Sequence, residues 1–449
     1  MVPGSSLISV ILRRGSIHDA TKVLMSAMLV VLVAAAATLA QAQVVALRAG
    51  KMFDPKSGTN LTNQIVLING DKIMDVGSAN TLKIPVGAKV IDLSQATVLP
   101  GLIDGHVHLT DSAGNYQHQM MVGLNSATRS LTAGFTTLVV MGSHGGGYAD
   151  VELKRAIESG LVKGPRLLTA GPIIDITGPG NGYFPLDFTP LVQDTVANGV
   201  EQIRAAVREH AHYGVDHIKV ATTGPFSFKS TGEMVNMALP SLDELKALVD
   251  EAHRRNLFVA SHTYGGEGLK WAVQAGIDDI QHAMGADEND IKGFVQNKIP
   301  ITSTILDQRQ DEPGDLAKYA PYSRWRLQTV TWKNMLAAGV ILGFGSGSAP
   351  PPGRVYNKEC NCSHGVQAEM FPVFVQWGAT PLYALRMATT VNADILHLQD
   401  KLGTIEKGKF ADIIAVSGDP LQDITEMQRV KFVMKGGEVI KDDLVAAAR

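Results

Sequence analysis

Five side chains in this 449-residue sequence have the types and spacing of a metal centre. His106 and His108 stand two apart in "GLIDGHVHL"; His262 lies in "FVASHTY", His282 in "DDIQHAM" and Lys219 in "DHIKVATTG". The histidines fall toward the C-terminal ends of short apolar runs, the pattern of a buried strand, and Lys219 lies inside another such run. Residues two apart in an extended chain share a face, so both imidazoles of the first run point the same way. Imidazole is a common ligand of zinc, and four converging imidazoles suit two metals better than one tight tetrahedron plus substrate. Lys219 completes this reading. An ammonium among metal cations is repelled, so the amine would be neutral, and a neutral amine captures carbon dioxide as a carbamate. That carbamate is a carboxylate able to bridge two metals, and a water between them would ionise near neutral pH and attack a carbonyl. A lone strand histidine is an ordinary core residue, and Lys219 alone could be half of a structural ion pair. Four histidines and a lysine at matching strand ends call for chemistry. His118, His210, His212, His217, His253 and His397 fall on helical stretches or away from strand ends and read as surface or core.

The elements that must position these groups are legible as a repeat. Apolar runs at 101–109, 136–142, 166–172, 216–224, 258–264, 278–284, 301–305 and 341–347 alternate with helical stretches such as Glu201–Tyr213, Leu242–Asn256 and Tyr322–Ala338. Eight β-α units in about 300 residues predict an α/β protein whose centre is a (β/α)8 TIM barrel, with strand C-terminal ends facing one pocket. This barrel is expected over residues 101–399. Residues 43–100 and 400–449 read instead as short strands ending at turn residues, including "QIVLING" and "VKFVMKGGEVIK". Together they are expected to form a small composite β-sandwich domain.

Composition excludes some functions. The formal net charge is −3, with 18% charged residues and no basic tract, so a nucleic-acid partner is not expected. Arg13, Arg14 and Lys22 precede the apolar run Val23–Leu39, and "AQAQ" follows. A basic start, an apolar stretch and an A-x-A site predict a signal peptide over residues 1–42, cut after Ala42; an uncleaved anchor is the alternative. The mature protein is then expected to be periplasmic or secreted, with no membrane attachment. Cys360 and Cys362, one residue apart, would strain a disulfide, so free thiols are expected, with a strained bond or a metal contact as alternatives.

Several segments together resemble one family. "VLPGLIDGHVHL" is similar to the opening of the metal-dependent amidohydrolase superfamily, and "HLQDKLGTIEKGKFADIIAVSGDP" to its C-terminal β-domain. "GVDHIKVATTG", "SHTYG", "IQHA" and "HGVQAEMFPVFVQWGATPLYALRMATTVNADIL" resemble the branch of secreted Xaa-Pro and Xaa-Arg dipeptidases, imidazolonepropionase-like proteins and ochratoxin-type amidohydrolases. The resemblance covers residues 45 to 440. It implies two divalent metals, usually zinc. His106 and His108 would hold one and His262 and His282 the other, with carboxylated Lys219 as the bridge. It also implies hydrolysis of an amide-like bond and a homo-oligomeric assembly.

One part of the family pattern is missing. The eighth strand of such proteins ends in a sequence like F-G-T-D-[AS]-G, whose Asp binds a metal and moves the proton. Here the stretch is Phe344, Gly345, Ser346, Gly347, Ser348, and Gly347 occupies the Asp position. Ser346 and Ser348 are not useful bases near neutral pH, and Asp307 after strand seven is a remote substitute. The chain as written is therefore expected to fold but to be strongly impaired, as an inactivated copy of a working enzyme. A natural pseudoenzyme and a different proton shuttle are the alternatives. His144 and Tyr264 are the candidate substrate contacts, placed to hold a scissile carbonyl or a carboxylate. The expected activity is hydrolysis of dipeptide-like or N-acyl amino acid amides, with ochratoxin-type amides among the candidates. A urea, carbamate or lactone hydrolase on the same scaffold and a metal-retaining, non-catalytic binding protein are the other readings.

Overall fold

The computed structural model describes residues 43–110, 115–143, 146–177, 195–229, 233–304, 324–350 and 363–444. The chain divides into two units, Met1–Gln43 and Val44–Arg449. The expected signal peptide, His144, Asp307 and both cysteines lie outside the described residues. Among the described residues no helix is long and apolar enough to cross a membrane.

The second unit begins with four strands, β1 (Val45–Asp54), β2 (Thr59–Asn69), β3 (Lys72–Ser78) and β4 (Lys89–Pro100). The barrel strands follow as β5 (Leu102–Val107), β6 (Phe135–Val140), β7 (Arg166–Leu168), β8 (Ile174–Asp175), β9 (Thr195–Val196) and β10 (His217–Ala221). A hairpin of β11 (Thr223–Phe228) and β12 (Met234–Ala238) precedes β13 (Phe258–Gly265), β14 (Asp279–Gly285), β15 (Ile301–Thr304) and β16 (Leu342–Gly345). The chain returns to β structure in β17 (Ile413–Val416), β18 (Phe432–Lys435) and β19 (Glu438–Asp442).

Strands from both chain ends hydrogen-bond into one seven-stranded sheet, in the order β19-β18-β17-β4-β1-β2-β3. β1 runs parallel to β4, and β17 lies antiparallel to β4 with Ile413 opposite Pro100. Leu47, Val66, Ile73, Leu93, Ile413 and Phe432, from six strands, share a single apolar core. Lys72 on the edge strand β3 bridges Phe410, which leads into β17, so the sheet curls over that core. The composite β-domain is thus continuous rather than two pieces that happen to touch.

The barrel forms from two parallel arcs, β5-β6-β7 and β16-β15-β14-β13-β10-β8-β9. They join at both seams. Ser143 N donates to Gly171 O at 2.9 Å on one side, and His108 N donates to Ser348 O at 2.7 Å on the other. The third strand, read as 166–172, is split into β7 and β8 because Pro172 has no N–H to extend the ladder. Helices lie outside the strands in the expected alternation: α1 (Tyr116–Thr132), α2 (Ala149–Glu158), α3 (Gly199–Tyr213), α4 (Leu242–His253), α5 (Gly266–Ala275), α6 (Glu288–Asn297) and α7 (Arg324–Ala338). α3 shows why they form. Ile203, Ala206, Val207 and His210 recur at helical spacing and are buried as one stripe, and Gly214 ends the helix in a left-handed turn. α4 begins at a Ser241–Glu244 capping box.

The β5–β16 seam is clasped by one side chain. Three short helices follow the last barrel strand: α8 (Met370–Gln376), α9 (Pro381–Arg386) and α10 (Asn392–Ile395). Asn392, buried at the start of α10, donates to Ile103 O at 2.9 Å and Phe344 O at 2.7 Å. Its Oδ1 accepts from Phe344 N at 3.1 Å. Asn392→Leu would strand three buried backbone groups, so it is expected to cost about 3 kcal/mol, measured by chemical unfolding. A loss below about 1 kcal/mol would mean water replaces the clasp.

Candidate metal centre

The ends of β5, β10, β13 and β14 bring the four histidines and Lys219 to one mouth of the barrel. His106 and His108, on alternate positions of one strand end, face each other with Nε2 atoms 3.2 Å apart. Their outer nitrogens are tied. His108 Nδ1 donates to the carbonyl of Gly142 at 3.0 Å. His106 Nδ1 donates to Gln281 Oε1 at 2.7 Å. The Gln281 amide is held in that orientation because its Nε2 donates to Asp279 Oδ2, and Asp279 also accepts from Thr302 Oγ1. With a proton fixed on each Nδ1, both Nε2 atoms present lone pairs to one another. Two facing lone pairs repel unless a cation lies between them. A proton is disfavoured there, since burial first, and then the charges of Lys219 and His108, push the His106 imidazole well below its ordinary range. The donor set therefore fits a metal ion.

The second imidazole pair is His262 and His282, with Nδ1 and Nε2 3.0 Å apart. The two pairs are adjacent, the His106 and His282 rings being 5.0 Å apart. Among the described residues no three His, Cys, Asp or Glu side chains converge on one point. The centre is thus built as two pairs, each needing further donors. Lys219 is the buried group available. Its Nζ has no hydrogen-bond partner. Burial brings its pKa down to about 7, against a smaller opposing pull from Asp279. A lysine whose pKa is brought down toward neutrality exposes the free amine that captures carbon dioxide.

Position 282 shows how the sequence spends strain on this geometry. Gln281 and His282 are consecutive, so in a regular strand they would point to opposite faces. Yet Gln281 reaches His106 and His282 reaches His262. The contradiction is resolved by the backbone, with φ of +76° at His282 and +47° at Ala283. Such left-handed steps outside glycine cost about 1–3 kcal/mol each and concentrate at functional sites. Gln281 thereby becomes the link through which β14 orients the His106 imidazole on β5. Gln281→Leu is expected to weaken metal retention by about 10–100-fold, read by competition with a chelator. An unchanged affinity would remove Gln281 from the centre.

Gly347 lies at the β5–β16 seam, its N–H donating to His106 O at 2.8 Å. A Cβ added there would meet Thr304 at 3.5 Å, ordinary contact, so the position has room for a side chain. Its φ of +65°, however, is left-handed. Read from the sequence alone, position 347 is an ordinary strand end where glycine is merely tolerated; in the structure its backbone conformation is one that glycine suits. Ser346 turns away from the imidazoles, its N–H donating to Asp104 and its hydroxyl to His106 O. Asp104 is buried and its pKa is pushed up to about 7 by that burial. Ser346 therefore offers the imidazoles no acid–base group.

Of the candidate substrate contacts, Tyr264 is 4% exposed and its ring packs 4.4 Å from His262. His210 and His217 are buried and His253 pairs with Asp278 at 2.9 Å, as structural readings require. Sequence reasoning missed His364. It is buried, with Nε2 2.9 Å from His108 O and Nδ1 2.8 Å from Ser130 Oγ, and so props the end of β5. It sits in "SHGVQ", outside any strand, where spacing offers no signal.

A model of the amidohydrolase family matches residues 97–440. The chain belongs to the amidohydrolase family. The family works with divalent metals, and this amidohydrolase is a hydrolase of C–N bonds. It is 27% identical to the ochratoxinase of Aspergillus niger over 448 residues, covering 89% of this chain and 87% of that protein. It is 23% identical to the imidazolonepropionase of Alkaliphilus metalliredigens over 404 residues, covering 84% and 90%. The crystal structure of a Xaa-Pro dipeptidase with bound methionine in its active site superposes with a TM-score of 0.75 at 28% identity, covering 89% of this chain and all of that one. The barrel with an added β-domain is the architecture these relatives share with this amidohydrolase.

Proposed function

We propose that this amidohydrolase is built to cleave the amide bond of dipeptide-like or N-acyl amino acid substrates with two divalent metals, and that the chain as written is impaired at one step. The observation that carries the proposal is the buried, unpartnered Lys219 amine among two facing imidazole pairs. His106 and His108 would hold one metal, His262 and His282 the other, and Lys219, as its carbamate, would bridge them; zinc suits these donors. Metals held there would acidify a shared water and polarise the substrate carbonyl.

The protein's own groups divide the remaining work. Gln281 and Gly142 O fix the imidazole tautomers. Tyr264, and His144 beyond the described residues, would orient the substrate. At position 347 no side chain accepts a proton from the attacking water or delivers one to the leaving amine. The relatives' activities on ochratoxin and Xaa-Pro dipeptides support an amide as the substrate class. A cleaved leader over residues 1–42 would fit an exported protein, and a homo-oligomer would fit the family.

The test is a panel of dipeptides, N-acyl amino acids, ureas, carbamates and lactones, offered to the zinc-loaded Gly347→Asp variant with bicarbonate present. Turnover of amides supports the proposal. Turnover confined to the other classes would reassign the substrate. Stoichiometric metal without any turnover would make the chain a binding protein.

A further inference from the structure

Between β10 and α4 the chain leaves the barrel wall as the antiparallel β11–β12 hairpin. Its seat is made of glycine. A Cβ at Gly285 would fall 2.2 Å from Met234 Cε, and one at Gly266 would fall 2.9 Å from Asn236 Oδ1. The inner face of β12 therefore rests directly on the backbone at the ends of β13 and β14, the strands that carry His262 and His282. That seat places Phe226, paired with Asn236 in register, edge-on to Tyr264 with ring centroids 5.2 Å apart. Phe228 stands edge-on to Phe226 at 5.8 Å. Tyr264 in turn packs 4.4 Å from His262 and 5.4 Å from His282. Three aromatic rings thus run from the hairpin to the second imidazole pair.

The chemistry of this row is apolar. The charged residues of the described hairpin, Lys229 and Glu233, pair with each other at 2.8 Å toward its far end. The exposed side chains Val235 and Met237 belong to the opposite face of β12. Aromatic rings recognise other flat rings edge-to-face or offset, with stabilisation beyond the area buried.

We propose that Phe226 is a specificity-determining residue: with Tyr264 it forms an aromatic subsite on the His262–His282 side that takes an aryl side chain of the amide substrate in preference to a methyl group. The inference rests on the amide-hydrolase reading above. A chain impaired as proposed would allow binding to be read without turnover.

The experiment is calorimetric binding of Ala-Ala, Phe-Ala and Ala-Phe to the zinc-loaded chain as written and to Phe226→Ala, Phe226→Tyr and Met237→Ser. One phenylalanine dipeptide is expected to bind about tenfold tighter than Ala-Ala. Phe226→Ala should remove most of that preference, weakening the phenylalanine dipeptide far more than Ala-Ala. Phe226→Tyr and Met237→Ser should keep it. A preference that survives Phe226→Ala overturns the proposal, as does an equal loss for all three ligands, which would mark Phe226 as structural. If none of the three binds, and Gly347→Asp turns none over, the amide reading falls and the subsite with it.

Discussion

Gly347→Asp is expected to raise the rate of amide hydrolysis by about a hundredfold or more. General acid–base catalysis is typically worth about 10²–10⁴-fold, and the carboxylate would also add a ligand to one imidazole pair. The site has room, since the nearest atom to a new Cβ is Thr304 Cβ at 3.5 Å. The opposing cost is conformational. At φ of +65° a side chain loses about 1–2 kcal/mol, although Asp is among the residues that tolerate this region. The variant should therefore be faster and slightly less stable. Gly347→Asn supplies the control, because it carries the same strain and nearly the same shape without a proton acceptor. If Asn gains as much as Asp, or if the unaltered chain is already as fast as the Asp variant, another group moves the proton.

Lys219→Met is expected to abolish bound metal and turnover while making the metal-free protein more stable. The amine is buried without a hydrogen-bond partner, and its folded pKa of about 7 lies below its ordinary 10.5. Between pH 7 and 10.5 the unfolded chain therefore binds more protons than the folded one, and this residue's contribution makes stability rise with pH across that window. Below pH 7 the full cost of burial is present. Removing the amine should gain about 3 kcal/mol at pH 6 and little at pH 10. Asp104 and Asp279, both raised to about 7 by burial, act the other way: their contribution weakens as pH rises from 4 to 7. Urea unfolding of both metal-free proteins at the two pH values isolates the lysine. A variant that is no more stable at pH 6 would mean the amine is solvated or paired. Carbon-13 bicarbonate should give a carbamate resonance in the parent that is absent from the variant.

Much of this architecture was readable from periodicity. The apolar runs ending in His106, Lys219, His262 and His282 announced strands, and their alternation with helices announced the barrel. What stayed hidden has physical causes. The β11–β12 hairpin is obscured because 216–224 reads as one strand, whereas the structure ends β10 at Ala221 and starts β11 at Thr223, with β12 seated on Gly266 and Gly285. The split between β7 and β8 follows from one missing N–H at Pro172. The inward turn of both Gln281 and His282 violates the period-two rule, and only a backbone angle reveals it. His364 acts through a carbonyl of a residue far away in sequence, a contact no local pattern encodes. The clustering histidines were legible because strand geometry is regular; their supporting partners were not, because those depend on the fold closing.

The seven-stranded sheet has a consequence for when the molecule can fold. β4 is flanked by β1 on one side and by β17 on the other, with Ile414 opposite Leu99 and Ala415 opposite Val98. Until the ribosome has made β17, more than 300 residues after β4, the β17 side of β4 is an open, apolar strand edge, the kind that templates aggregation. Contacts between such distant residues also form slowly. A chaperone or translocation machine that keeps the nascent chain extended would therefore meet it in the state it occupies for most of its synthesis. Proteolytic loss of the last few dozen residues would reopen the same edge, and so unravel the domain made by the first strands.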